Sequence, residues 1–153
     1  MAATATATAW FLDTCVSFPV SGGADGISVI ESLARRGDSA PLHVHETEDE
    51  VFILLDGAMT LAVAGELRDL RRGEAVCAPK GVPHTYRVDS EQARWLVVTV
   101  NGDFEAFVRS AARPAGHDGL PEPSPPPAPE ELGALEALAG RYGIRFVGPA
   151  LEP

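Results

Sequence analysis

Apolar and polar positions alternate in short runs from Trp10 to Val100, and each run is closed by glycine, proline or a polar cluster. A period of two places successive side chains on opposite faces of an extended chain, so these runs predict strands. Trp10 to Val20 reads as the first. Ile27 to Arg36 reads as the second, with Ile27, Val29, Glu31 and Leu33 on one face and Glu31 as a rim residue. Leu42 to Glu46, Asp49 to Asp56, Ala58 to Ala64, Leu67 to Leu70, Ala75 to Ala78, His84 to Val88 and Ala93 to Val100 complete the series. Glu46 to Asp49, Asp56-Gly57, Gly65-Glu66 and Pro79 to Pro83 read as the turns between them, and Asp-Gly is a hairpin signal. Eight or nine short strands at this spacing predict an all-β sandwich or barrel.

Beyond Val100 the period changes. Phe104, Phe107 and Val108 recur at helical spacing, with Asn101 available as a cap. Gly116 to Pro129 is rich in proline and glycine, and Pro125-Pro126-Pro127 is extended and stiff. Glu130 to Tyr142 predicts a second helix with Leu132, Leu135, Leu138 and Tyr142 as its apolar stripe, ended by Gly143, with Ile144 to Val147 extended after it. The organisation expected is a flexible tail over 1–9, a barrel over 10–100, a helix within 101–115, a linker over 116–129, and a helix with an extended segment over 130–153. So apolar a C-terminal segment is expected to fold back over the barrel, over a neighbouring subunit, or over a pocket mouth as a lid.

Charge narrows the partners. With 12 Lys and Arg against 22 Asp and Glu, the formal net charge is -10, which argues against nucleic acid and against anionic membrane surfaces. No run of residues approaches a bilayer-spanning length. The first residues lack the basic and apolar stretches of a secretion signal, so a cytoplasmic location is expected. Cys15 and Cys77 are too few for a disulfide framework and read as small buried residues, with Cys77 placed to line a cavity on the strand leading to His84.

The chemistry concentrates in two segments. Gly37 to Gly57 contains His43-Val44-His45 and then Glu50, and Gly73 to His84 ends in Pro79-Lys80-Gly81-Val82-Pro83-His84. His43 and His45, two apart on a strand, share one face. Glu50 is out of phase with them, so a turn must intervene. His84 reaches the same point from another segment. Three imidazoles and one carboxylate suit iron, nickel, cobalt, manganese, copper or zinc, one divalent ion per subunit, and suit calcium or magnesium poorly. Four protein ligands leave positions open for water, oxygen or substrate. Phe52 and Leu54, in phase with Glu50, together with Met59, Tyr86 and Cys77, are the candidate pocket wall.

The two segments resemble the paired motifs of the cupin superfamily. The first follows G-x5-H-x-H-x4-E-x6-G throughout, and the second follows G-x5-P-x-G-x2-H, with Val88 where the family often carries an Asn that is not a metal ligand. The resemblance spans roughly Ser28 to Val100. It implies a jelly-roll β-barrel, a double-stranded β-helix, with the C-terminal helices packed outside and the metal held by His43, His45, Glu50 and His84. It also implies a homodimer and a small-molecule substrate. Within the family the chain is similar to quercetinase-like dioxygenases, which act with O2 on phenolic or 1,3-dicarbonyl compounds. In that reading Glu50 is both ligand and proton acceptor. Alternatives are a non-redox polyketide cyclase or isomerase using the metal as a Lewis acid, and a non-catalytic binding barrel. The alanine-, arginine- and proline-rich composition suits a GC-rich genome, where the barrels this chain resembles often sit in secondary-metabolite pathways.

Overall fold

The computed structural model describes residues 6–153. Twelve strands and two helices follow one another: β1 (Thr8–Phe11), β2 (Thr14–Val20), β3 (Ile27–Arg35), β4 (Pro41–His45), β5 (Glu50–Asp56), β6 (Ala58–Val63), β7 (Glu66–Arg71), β8 (Ala75–Ala78), β9 (His84–Val88), β10 (Gln92–Val100), α1 (Asp103–Ala111), β11 (Arg113–Pro114), α2 (Pro129–Gly140) and β12 (Ile144–Ala150). They form two antiparallel sheets, ordered β11-β1-β2-β3-β10-β5-β8 and β12-β4-β9-β6-β7, which face each other as a jelly-roll barrel.

The alternation in the sequence is the alternation across these sheets. On β10, Ala93, Trp95 and Val97 are buried while Arg94 is exposed. Leu54, Met59, Leu61, Val88 and Trp95 fill the core between the sheets. Burying each large branched or aromatic side chain there stabilises the fold by on the order of 2 kcal/mol. A second cluster, Val16, Ile30, Phe107, Val108, Ala139 and Ile144, seats both helices against the barrel wall.

Several boundaries differ from the sequence reading, each for a local reason. The first 9 residues are expected as a tail. Residues 1–5 lie outside the described residues, but Thr8 and Ala9 pair with Ser17 and Val16. Trp10 to Val20 is thus two strands, broken at Leu12, whose φ of 54° turns the chain back. On β3 the inward face is Ser28, Ile30, Ser32 and Ala34, so Ile27, Val29 and Glu31 look outward, and Glu31 pairs with Arg94 at 3.0 Å. Asp56-Gly57 makes no hairpin, because β5 and β6 belong to different sheets. Gly57 is a corner: φ is 89° and an added Cβ would meet Gln92 O at 2.4 Å. The tight hairpin joins β6 to β7, at Ala64-Gly65 with both φ positive. Leu132 of the expected α2 stripe is 40% exposed, whereas Leu135, Leu138 and Tyr142 pack.

Helix α1 is fixed by carboxylates, not by Asn101. Glu48 accepts hydrogen bonds from the Asp103 and Phe104 amides at 3.1 and 2.7 Å, as an N-terminal cap should. Glu105 accepts from Ser28 of β3, from Ser21, and from Arg109 at 2.8 Å. Burial alone would raise the Glu105 pKa, but those donors hold it below the ordinary carboxylate value. A lowered folded pKa means stability that is present above the unfolded value and is lost as pH falls through the folded one. Glu105→Gln should therefore cost about 1–3 kcal/mol in urea unfolding at neutral pH. The gap from the parent should narrow as pH drops below about 4.5.

Candidate metal centre

Both sheets contribute to one cluster. β4 carries His43 and His45, and β9 carries His84, paired in register with His43. Residues 46–49 then carry the chain across to the opposite sheet, where Glu50 opens β5. Residues 79–83 make the reverse crossing from β8 to β9. This is why Glu50 falls out of phase with the two histidines in sequence and yet meets them in space. One ligand atom from each of His43, His45, Glu50 and His84 lies within 4.8 Å of all the others. All four residues are buried, at 8, 1, 1 and 0% exposure.

The imidazoles are oriented from behind. His43 Nδ1 lies 2.7 Å from Pro41 O and His84 Nδ1 lies 3.0 Å from Val82 O. A carbonyl only accepts, so each Nδ1 carries the proton and each Nε2 is turned toward the cluster. Glu50 Oε2 receives His84 Nε2 at 2.6 Å and lies 3.1 Å from His45 Nε2. The latter contact is too poorly aligned for a hydrogen bond, so both ring nitrogens of His45 are buried without a partner. A polar atom in that position costs about 1–3 kcal/mol unless something ligates it.

Electrostatics point the same way. Burial pushes Glu50 up, but the close approach of His45 and the hydrogen bond and charge of His84 outweigh it and hold its pKa well below normal. His84 is lowered by burial and raised more strongly by Glu50, so its pKa is raised. Burial and the neighbouring His84 bring His43 down to about 4. Metal ligation requires an ionised carboxylate and neutral imidazoles; Glu50 and His43 already favour those states, and His84 would release its proton to an ion. The donor set therefore fits a borderline divalent transition ion.

A cavity opens from the cluster. His43, His45, Glu50, Phe52 and Tyr86 line one part of it, and Phe104, Phe107, Leu135, Ile144 and Phe146 wall the other. Of the residues the sequence offers for the pocket, Phe52 and Tyr86 reach it. Leu54 and Met59 point inward as their phase requires, but they are packed in the core at 0 and 1% exposure. Cys77 corrects the expectation most clearly. It is exposed on the outer face of β8, because it pairs in register with outward-facing Val51. The C-terminal segment is part of the cavity wall: β12 pairs with β4, setting Phe146 opposite His43 and Ile144 opposite His45. Glu48 and Asp38 escaped the sequence reading, since both sit in polar turns that give no sign of burial.

A jelly-roll barrel with a buried three-histidine, one-glutamate cluster defines a class, and the comparisons agree with it. Residues 29–99 match the model described as a cupin domain, and this stretch of the chain is a cupin domain. It is 34% identical over 108 residues to quercetin 2,3-dioxygenase of Bacillus subtilis, covering 71% of this chain and 31% of that enzyme, so it spans about a third of that relative's length. The polyketide cyclase RemF of Streptomyces resistomycificus is 26% identical with a TM-score of 0.51, covering 63% of this chain and 70% of its own. An RmlC-like cupin from Shewanella frigidimarina matches at a TM-score of 0.58 and 13% identity, covering 63% of this chain and 85% of its own, a likeness of fold.

Metal analysis tests the cluster. The full chain should bind about one equivalent of a divalent transition ion, and His45→Ala or His84→Ala should reduce this below about a tenth. Because the ion must displace a proton from His84, whose pKa is raised above 6.5, apparent affinity should climb with pH through and above that value.

Proposed function

We propose that the chain is a metal-dependent cupin oxygenase acting on a small phenolic or enolisable 1,3-dicarbonyl compound. The observation that carries the reading is the position of Glu50. It is ionised, buried, and shared between a metal-ligand set and an apolar cavity lined by aromatic rings. His43, His45, Glu50 and His84 would hold the ion. When bound, it would supply Lewis acidity toward an enolate oxygen and, if redox-active, a route to dioxygen.

The chain's own residues define the rest. Both contacts of Glu50 use Oε2, and neither uses Oε1. Oε1 is the atom that would accept the enol or phenol proton of a substrate seated in the cavity. Phe52 and Phe104 would sandwich a flat ring and exclude water from it; Phe104 already packs edge-on to His45 at 5.2 Å. His43 and His84 stay oriented by their backbone carbonyls while Glu50 changes protonation. The dioxygenase relative supports this assignment, limited to the portion of that enzyme that the chain covers.

A second reading, cyclisation or isomerisation of a polyketide-like substrate without oxygen, is favoured by the likeness to RemF. Oxygen uptake separates the two. With metal-loaded protein and a flavonol, an oxygen electrode should record consumption stoichiometric with substrate loss. Glu50→Gln should lower turnover by at least about a hundredfold, within the usual contribution of a general base, while retaining part of its metal. Substrate loss without oxygen consumption would favour the cyclase reading, and full activity in Glu50→Gln would remove the proton-transfer role.

A further inference from the structure

Asp38 is a carboxylate that the barrel does not need. It sits in the turn between β3 and β4, with its backbone held at both ends: its amide donates to Arg35 O at 3.1 Å and its carbonyl accepts from Val88 of β9 at 2.9 Å. The side chain therefore has little freedom in direction. It lines the same cavity as Glu50 and His43. Tyr86 donates its phenol to Oδ2 at 2.7 Å, and Thr14 approaches the same oxygen at 3.4 Å. Oδ1 takes neither donor. No lysine, arginine or histidine pairs with Asp38 among the described residues. Stapling the turn to β9 would need one acceptor oxygen, which an amide supplies without the cost of burying charge.

The spacing is informative. Tyr86 follows His84 by two residues on β9, so the two project to the same side about 7 Å apart. The ring of Phe52 bridges that interval, 6.1 Å from His84 and 6.4 Å from Tyr86. The cavity thus has polar groups at two ends with aromatic wall between them: the ligand cluster at one, and Asp38 with Tyr86 at the other.

We infer that Asp38, positioned by Tyr86 and Thr14, is a specificity residue that accepts a hydrogen bond from a substrate hydroxyl remote from the group held at the His43–His45–Glu50–His84 cluster. Only the chelating end of the ligand rests on the proposed function. The substrate class follows from the two ends together. It is a flat aromatic compound with an enol or keto-phenol unit at one end and a free phenolic or alcoholic O–H on a second ring. A carboxylate at that second position would be repelled by Asp38.

Calorimetric titration of the full metal-loaded chain with two probes tests this. Both 3-hydroxyflavone and quercetin carry the chelating hydroxy-ketone, and quercetin adds ring hydroxyls. The parent protein should prefer quercetin by at least about tenfold, a charge-assisted hydrogen bond being strong enough to give this. In Asp38→Asn, Tyr86 claims the amide oxygen, so the preference should fall below about threefold. Affinity for 3-hydroxyflavone, metal content and kcat should be unchanged within about twofold, with the loss appearing in KM for quercetin. Asp38→Ala should behave alike. A purely structural role would instead lower the thermal midpoint and weaken both probes equally, which overturns the inference. So would an undiminished preference in both variants. A parent that binds both probes equally overturns the anchor alone, even if neither variant folds. A parent that binds neither overturns the proposed function together with it.

Discussion

Glu50 is 1% exposed inside an apolar barrel, and it must stay ionised there. A lone buried carboxylate would take up a proton to avoid the loss of hydration. Here the opposite happens, because His45 and His84 stand on the same oxygen. Those histidines lie on β4 and β9 of one sheet, while Glu50 lies on β5 of the other, so the charge balance depends on the two sheets keeping their spacing. The crossing segments fix that spacing. Gly81 N donates to His45 O at 2.8 Å, and Lys80 N donates to Asp49 at 2.8 Å, tying the two crossings together. Glu48, between His45 and Glu50, is buried because it caps α1. The helix outside the barrel is thus coupled to the loop that carries the chain from His45 to Glu50.

The arrangement separates rigidity from variety. The four donors project from paired strands whose backbones are hydrogen-bonded on both sides, as a site with tight positional demands requires. Much of the outer cavity wall comes from elements added around the barrel: Phe11 of β1, Phe104 and Phe107 of α1, Leu135 of α2, and Ile144 and Phe146 of β12. These elements pack through apolar surface, so their side chains can change without disturbing the cluster. The chain's likeness to both a dioxygenase and a cyclase is what such a division allows.

The strand runs and the four donors were legible because they depend on local periods and fixed spacings. His43 and His45 share a face by parity alone, and Glu50 had to turn. What parity cannot tell is which sheet a strand joins. Asp56-Gly57 has the chemistry of a hairpin but occupies a corner, since Gly57 is pressed against Gln92 and Ser90. Cys77 has the apolar neighbours of a cavity residue but falls on the outward parity of β8. Leu54 and Met59 are inward yet belong to the core, because depth along a barrel axis leaves no mark in a strand's sequence. Asp38 and Glu48 read as ordinary turn residues. Contacts with β9 half-bury Asp38 and contacts with α1 bury Glu48, and both elements lie far away in sequence.

Diffraction from crystals of the metal-loaded chain, collected at the absorption edge of the bound element, would show whether the four side chains converge on one ion. One strong anomalous peak is expected about 2.0–2.3 Å from a nitrogen of each of His43, His45 and His84 and from a carboxylate oxygen of Glu50. A peak bonded to other residues, or a fully loaded crystal in which Glu50 keeps its hydrogen bond to His84 and touches no ion, would contradict it.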